Sequence, residues 1–160
     1  MATFYSPAEV IAAAVQTEQA GQEYYRTLAQ GTMLAASKEL FGFLAQEEAS
    51  HERTFAALHA KFKTGPELLP YDWEEVVAYL KVLTASRFFL GPDKALSLAH
   101  SAQDEREALE FALQFEKDTL LFYLEIEQLV APEDRSVVRE IASQERRHIR
   151  RLSELQTQTS

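Results

Sequence analysis

Two Glu-x-x-His sets, Glu48-Ala49-Ser50-His51 and Glu145-Arg146-Arg147-His148, stand inside long stretches of helical periodicity. Residues three apart on a helix share a face, with Cβ atoms about 5–6 Å apart. Each set can therefore present a carboxylate and an imidazole to one centre. In both, the Glu and the His take positions that otherwise belong to the apolar stripe. Two further glutamates, Glu18 and Glu116, sit alone on the apolar stripes of two other helical stretches. Four carboxylates meeting in a core would repel one another and lose their hydration. Two divalent cations cancel four glutamate charges with both histidines neutral, so the set reads as a dinuclear metal site. Carboxylate-rich ligation with one imidazole per metal suits iron or manganese, and zinc can also occupy it.

Four long helices must carry these residues. Ser6-Pro7-Ala8-Glu9 reads as a capping box with Pro at the first helical position, and a helix follows over 7–30. Its inner stripe is Ile11, Ala14 or Val15, Glu18, Gly21 or Gln22, Tyr25 and Leu28. A second helix over 35–62 carries Phe41, Leu44, Glu48, His51, Phe55 and Leu58, and Gly65-Pro66 stops the chain beyond it. Residues 102–130 form a third, with Leu109, Ala112 or Leu113, Glu116, Thr119 or Leu120, Tyr123, Ile126 or Glu127, and Val130 inward. Ala131-Pro132 marks a tight turn before a fourth helix over 133–155, with Val138, Ile141, Glu145, His148, Leu152 and Leu155 inward. Short loops make each pair antiparallel. The crossover, 64–101, carries a short helix from Asp72 to about Phe88. Gly91-Pro92 breaks it, and 93–100 has the pattern of one more short helix. The expected architecture is all-α: a four-helix bundle of two antiparallel helical hairpins joined by a long crossover, in one domain spanning 1–160.

The two hairpins read as copies of one unit. Glu18 and Tyr25 recur as Glu116 and Tyr123 at the same spacing. Ala45-x-x-Glu48-x-x-His51-x-x-x-Phe55 recurs as Ala142-x-x-Glu145-x-x-His148-x-x-x-Leu152. Such copies place equivalent ligands around a pseudo-twofold axis. All six lie near the midpoints of their helices, so antiparallel packing brings them to similar height.

A net charge of −9 argues against a nucleic-acid surface and an anionic membrane as partners. The chain has no cysteine, which excludes disulfides, thiolate metal sites and Cys nucleophiles. The first residues lack a basic segment followed by an apolar run, and no apolar stretch reaches the length of a membrane span. No signal peptide and a cytoplasmic location are expected. Glu23, Glu47, Glu52, Glu110 and Glu127 read as exposed or flanking charges. His59 and His100 read as ordinary, Arg146-Arg147 and Arg150-Arg151 as an outer face, and Phe88-Phe89 as packing for the crossover.

One Glu from each of two helices and Glu-x-x-His from each of two others is the arrangement of ferritin-like di-iron carboxylate proteins. The chain resembles the rubrerythrin-like branch of that superfamily through AVQTEQAGQEYY (14–25), LFGFLAQEEASHERTF (40–55), ALEFALQFEKDTLLFY (108–123) and IASQERRHIRRL (141–152). The resemblance implies a ferritin-like bundle holding two iron ions. It implies that Glu48 and Glu145 bridge them, and that Glu18 with His51 and Glu116 with His148 complete the ligation. It also implies that Tyr25 and Tyr123 hydrogen-bond ligand carboxylates. Three departures stand out. Full-length rubrerythrins append a rubredoxin domain with four cysteines, and this chain has none, so its electrons come from another protein. Rubrerythrins carry an additional Glu one turn after the third-helix ligand, where this chain has Thr119. The crossover is also longer.

The expected function is oxidoreductase chemistry: a di-iron centre reduces hydrogen peroxide or dioxygen and is re-reduced by an external donor protein. A homodimer or higher homo-oligomer is expected. The alternatives are iron oxidation and storage in a hollow shell, hydroxylation of an organic substrate in an apolar pocket beside the metals, and a non-enzymatic metal-binding protein.

Overall fold

The computed structural model describes residues 4, 6–62, 69–85 and 91–159. Gly65-Pro66 and Phe88-Phe89 lie outside the described residues. Among the described residues six α-helices follow one another: α1 (Pro7–Gly31), α2 (Ala35–Phe62), α3 (Trp73–Thr84), α4 (Gly91–Ser101), α5 (Glu105–Leu129) and α6 (Arg135–Thr159). The long helices are α1, α2, α5 and α6. They pack as two hairpins, α1 on α2 and α5 on α6, and the hairpins meet through α1 on α5 and α2 on α6.

Local chemistry sets most of the boundaries. Ser6 caps α1, its hydroxyl accepting from the Glu9 N–H at 3.4 Å, and Pro7 takes the first helical position. The third long helix starts at Glu105, three residues later than the periodicity suggests. Asp104 is its cap, accepting from the Glu107 N–H at 2.8 Å, while Glu107 accepts from the Gln103 N–H at 2.7 Å. This reciprocal pair satisfies two donors that the helix cannot use itself. Residues Pro132–Asp134 form a single 3₁₀ turn, so the fourth long helix begins at Arg135. It continues through the polar end of the chain to Thr159, where the Thr157 and Thr159 hydroxyls bond the carbonyls of Ser153 and Leu155.

The crossover holds two helices. Gly91 and Pro92 stand in the first turn of α4, where a proline costs no hydrogen bond. Helix α4 packs along α1 and α3 against α5. Beyond its stripe α1 also buries Ala20 and Tyr24, in the cluster that holds Ala95 and Ala99 of α4, and Val10, in the cluster that holds Leu80 of α3. The Tyr24 hydroxyl donates to the Ala108 carbonyl at 2.8 Å.

The core divides into two apolar clusters. One contains Tyr25, Leu28, Phe41, Leu44, Leu109 and Leu152, with Ala95 and Ala99 of α4. The other contains Ile11, Phe55, Phe122, Tyr123, Ile126 and Val138, with Leu80 of α3. Each crossover helix thus closes one cluster. The ligand candidates occupy the helix positions between the two, as a charged layer sandwiched by apolar ones. Flanking polar contacts hold each hairpin together: Gln19 and Gln22 of α1 donate to Glu52 of α2 at 2.8 and 2.5 Å, and Arg139 of α6 pairs with Glu127 of α5 at 2.6 Å. Among the described residues, no helix is long and apolar enough to cross a membrane.

Candidate metal centre

Helix α1 contributes Glu18, α2 Glu48 and His51, α5 Glu116, and α6 Glu145 and His148. The four carboxylates are 0% exposed, and the histidines 2% and 1%. Their donor atoms fall into two groups, Glu18, Glu48, His51 and Glu145, and Glu48, Glu116, Glu145 and His148. Within each group the atoms lie within 4.8 Å of one another, and Glu48 and Glu145 belong to both. The histidine rings stack at 5.7 Å between centroids, inclined by 22°.

Both imidazoles turn Nδ1 inward. His51 Nδ1 is 3.0 Å from Glu145 Oε1 and 3.6 Å from Glu18 Oε2. His148 Nδ1 is 3.0 Å from Glu145 Oε2 and 3.5 Å from both Glu48 Oε1 and Glu116 Oε2. The outward nitrogens meet residues not assigned to the site from the sequence. His51 Nε2 lies 2.7 Å from Gln144 Oε1, and His148 Nε2 lies 3.8 Å from Glu47 Oε2. Glu47 and Gln144 each precede the Glu of a Glu-x-x-His set, so the internal repeat was the available signal for both.

The two tyrosines cross between hairpins. The Tyr25 hydroxyl of α1 donates to Glu116 Oε1 of α5, and the Tyr123 hydroxyl of α5 donates to Glu18 Oε1 of α1. Each lone glutamate thus has one oxygen held by a phenol, and the other faces the centre. Desolvation, with the charges of Glu116 beside Tyr25 and Glu18 beside Tyr123, pushes both phenols well above their ordinary pKa, which keeps them as donors.

The electrostatics are strained without a cation. Desolvation and then repulsion from Glu18, Glu145 and Glu116 raise Glu48. Desolvation is also the main cause for Glu18, raised well above the ordinary range, and for Glu116, pushed to about 8. Burial alone would push Glu145 the same way. The hydrogen bond from His148 and the close approach of His51 outweigh it and hold this carboxyl well below the usual range. Burial disfavours the charged imidazoles, yet the carboxylates around them raise His51 to about 9 and His148 to about 11.

Six inward polar atoms have no hydrogen-bond partner: Glu18 Oε2, both Glu48 oxygens, His51 Nδ1, Glu116 Oε2 and Glu145 Oε1. A buried polar atom left unpaired costs about 1–3 kcal/mol, and more when charged. Divalent cations would satisfy all six at once. The residues therefore fit a carboxylate-bridged pair of metal ions, on the chemistry of the donor set alone. Thr119, fully buried one turn beyond Glu116, adds no carboxylate, and its hydroxyl has no partner.

Gly21, the Thr119 counterpart one turn beyond Glu18, makes room for the centre. A Cβ there would lie 2.9 Å from Glu48 Oε2 and 3.1 Å from Glu48 Cγ and Phe115 Cε1. Gly42, also mid-helix, would meet nothing within 4 Å. Substituting Gly42→Ala should stabilise by up to about 1 kcal/mol through helix propensity. Gly21→Ala should instead destabilise, since overpacking of about 1–3 kcal/mol outweighs that gain, and should weaken metal binding by displacing Glu48. Thermal melts of the two variants with and without metal check this, and equal behaviour would refute the crowding argument.

A cavity of about 600 Å³ at the Gly31 end of α1 is lined by Leu28, Phe41, Ala99 and Ala108 and by none of the six ligand candidates.

Comparison with known proteins agrees with this fold. The chain aligns end to end with the crystal structure of a Thermotoga maritima protein described as ferritin-like and diiron-carboxylate, with a TM-score of 0.71, 20% sequence identity and 100% of both chains covered. That likeness establishes the ferritin-like fold. No curated protein matches the sequence. The rubrerythrin family model matches residues 9–105, which hold the first hairpin and the crossover. More than half of the chain lies within that match, and the chain belongs to the rubrerythrin family.

Proposed function

We propose that the chain is a di-iron oxidoreductase that reduces hydrogen peroxide or dioxygen with electrons from an external donor protein. The observation that carries this reading is the pair of overlapping donor groups sharing Glu48 and Glu145 in a fully buried layer. Glu18, Glu48, His51 and Glu145 would hold one ion, and Glu48, Glu116, Glu145 and His148 would hold the other. Bound iron would supply the electrons and a Lewis-acidic centre.

The chain's own residues position and shield that chemistry. Tyr25 and Tyr123 each fix one oxygen of Glu116 and Glu18, and so orient the other toward the centre. In the metal-free chain Glu145 lies 3.0 Å from the inward nitrogen of both histidines and keeps the two rings in register. The apolar clusters above and below exclude bulk water from the layer.

The test begins with metal analysis of protein purified without added metal, where two iron ions per chain are expected, against manganese or zinc. Protein loaded with ferrous iron without oxygen is then mixed with peroxide or with dioxygen. Ferric absorbance should rise within seconds, and an external reductant should reset it. Absence of that absorbance would remove the oxidoreductase reading and leave a metal-binding protein. Light scattering separates it from iron storage, which requires a large hollow shell.

A further inference from the structure

The two halves of the centre differ in what stands behind each histidine. Behind His51 is Gln144, with Oε1 2.7 Å from the ring nitrogen. The Gln144 amide nitrogen donates to Glu140 Oε1 at 3.3 Å, so its oxygen is the atom turned to His51. Arg147 reaches the same Glu140 oxygen at 3.3 Å and offsets the charge behind the amide. Behind His148 stands Glu47, with Oε2 3.8 Å from the ring nitrogen and the side chain 31% exposed. Residues 47 and 144 are equivalent in the internal repeat. One copy therefore places a neutral amide behind its histidine and the other a carboxylate.

This difference bears on metal binding. A metal-bound imidazole is neutral, and its outward N–H needs an acceptor. A negatively charged acceptor polarises that N–H and makes the inward nitrogen a stronger donor, and such outer partners change metal affinity by about 10–100-fold. Glu47 lies beyond hydrogen-bond length, but its charge acts across 3.8 Å in a partly buried site, where screening is weak.

We propose that Glu47 and Gln144 make the two metal positions unequal, so that the position built on Glu116 and His148 binds a divalent cation more tightly and fills before the position built on Glu18 and His51. Glu47 acts here as a positioning residue through His148. The inference rests on the dinuclear centre proposed above, but not on its redox activity.

Metal-free protein titrated with cobalt(II), followed by visible absorbance and by the paramagnetically shifted histidine N–H resonances, tests it. Two resolved steps are expected, separated by about tenfold or more. Glu47→Gln should weaken the tighter step by about 10- to 100-fold and draw the two together. It should also displace the N–H resonance that appears first. Gln144→Glu should strengthen the weaker step and displace the other resonance. Two ions bound with equal constants, or a Glu47→Gln protein with both steps unchanged, would overturn the inference and leave the dinuclear centre standing. No cobalt binding by the wild-type chain would overturn the centre itself, and this inference with it.

Discussion

Metal-free protein should lose thermal stability as the pH rises from about 5 to about 9, and divalent metal should restore more of it the higher the pH. Glu116 has a folded pKa of about 8 against an ordinary 4.5. Between those values the folded chain holds a proton that the unfolded chain releases, so stability falls with rising pH. Glu18 and Glu48 are raised and act in the same direction. His51 and His148, at about 9 and about 11, contribute stability that is complete below about pH 6.5 and lost as pH rises through those folded values. Glu145 is depressed; its contribution is lost only in acid and stays constant across this window. Five of the six groups thus pull the same way.

A shift like that of Glu116 corresponds to a few kcal/mol on one carboxyl, and a few kcal/mol moves the midpoint of a chain this long by on the order of 10 °C. Metal competes with protons for the same atoms, so its affinity climbs as the metal-free form weakens. Melting curves of chelator-treated protein, with and without two equivalents of metal across the pH series, measure both effects. A metal-free midpoint that stays flat or rises with pH would show that the carboxylates are not confined together.

Glu48→Gln and Glu145→Gln should shift the metal-free protein in opposite directions, although both remove one carboxylate shared by the two donor groups. Glu48 is surrounded by three other carboxylates, and both its oxygens lack partners. A neutral amide of the same shape removes the cost of holding it there. The metal-free midpoint near neutral pH should rise by on the order of 10 °C, from a few kcal/mol. Glu145 is instead the anion that both histidines lean on, at 3.0 Å from each. Replacing it strands two buried imidazoles, and breaking a buried pair in this way costs about 3–5 kcal/mol. Both variants should lose most of the stabilisation that metal gives the wild type. Calorimetry of the two metal-free variants decides it: a shift of the same sign in both would mean that the environments of the two glutamates are not distinct. The gain in Glu48→Gln would also mean that the native residue is kept at a cost to stability, as functional groups often are.

The ligand layer could be recognised because its signal is local. A glutamate on a core stripe is conspicuous one helix at a time, and Glu18, Glu48, Glu116 and Glu145 each stand out this way. Tyr25 and Tyr123 shared the stripe and the repeat, but which carboxylate each would meet could not be read along the chain, since each reaches across to the other hairpin. Glu47 looked like a flanking charge because it lies one position off the stripe. Its place behind His148 depends on how α2 and α6 are rotated against each other. Gln144 was hidden for the same reason.

Helix number, hairpin pairing and the donor types of the centre come from the sequence alone, because periodicity, caps and turns act over a few residues. Only the tertiary structure decided the rest. It set α4 along α1 and α3 against α5, placed Gly21 against Glu48, and put an amide behind one histidine and a carboxylate behind the other. Those outcomes depend on the rotation and offset between packed helices, which side-chain interdigitation across the whole core settles together.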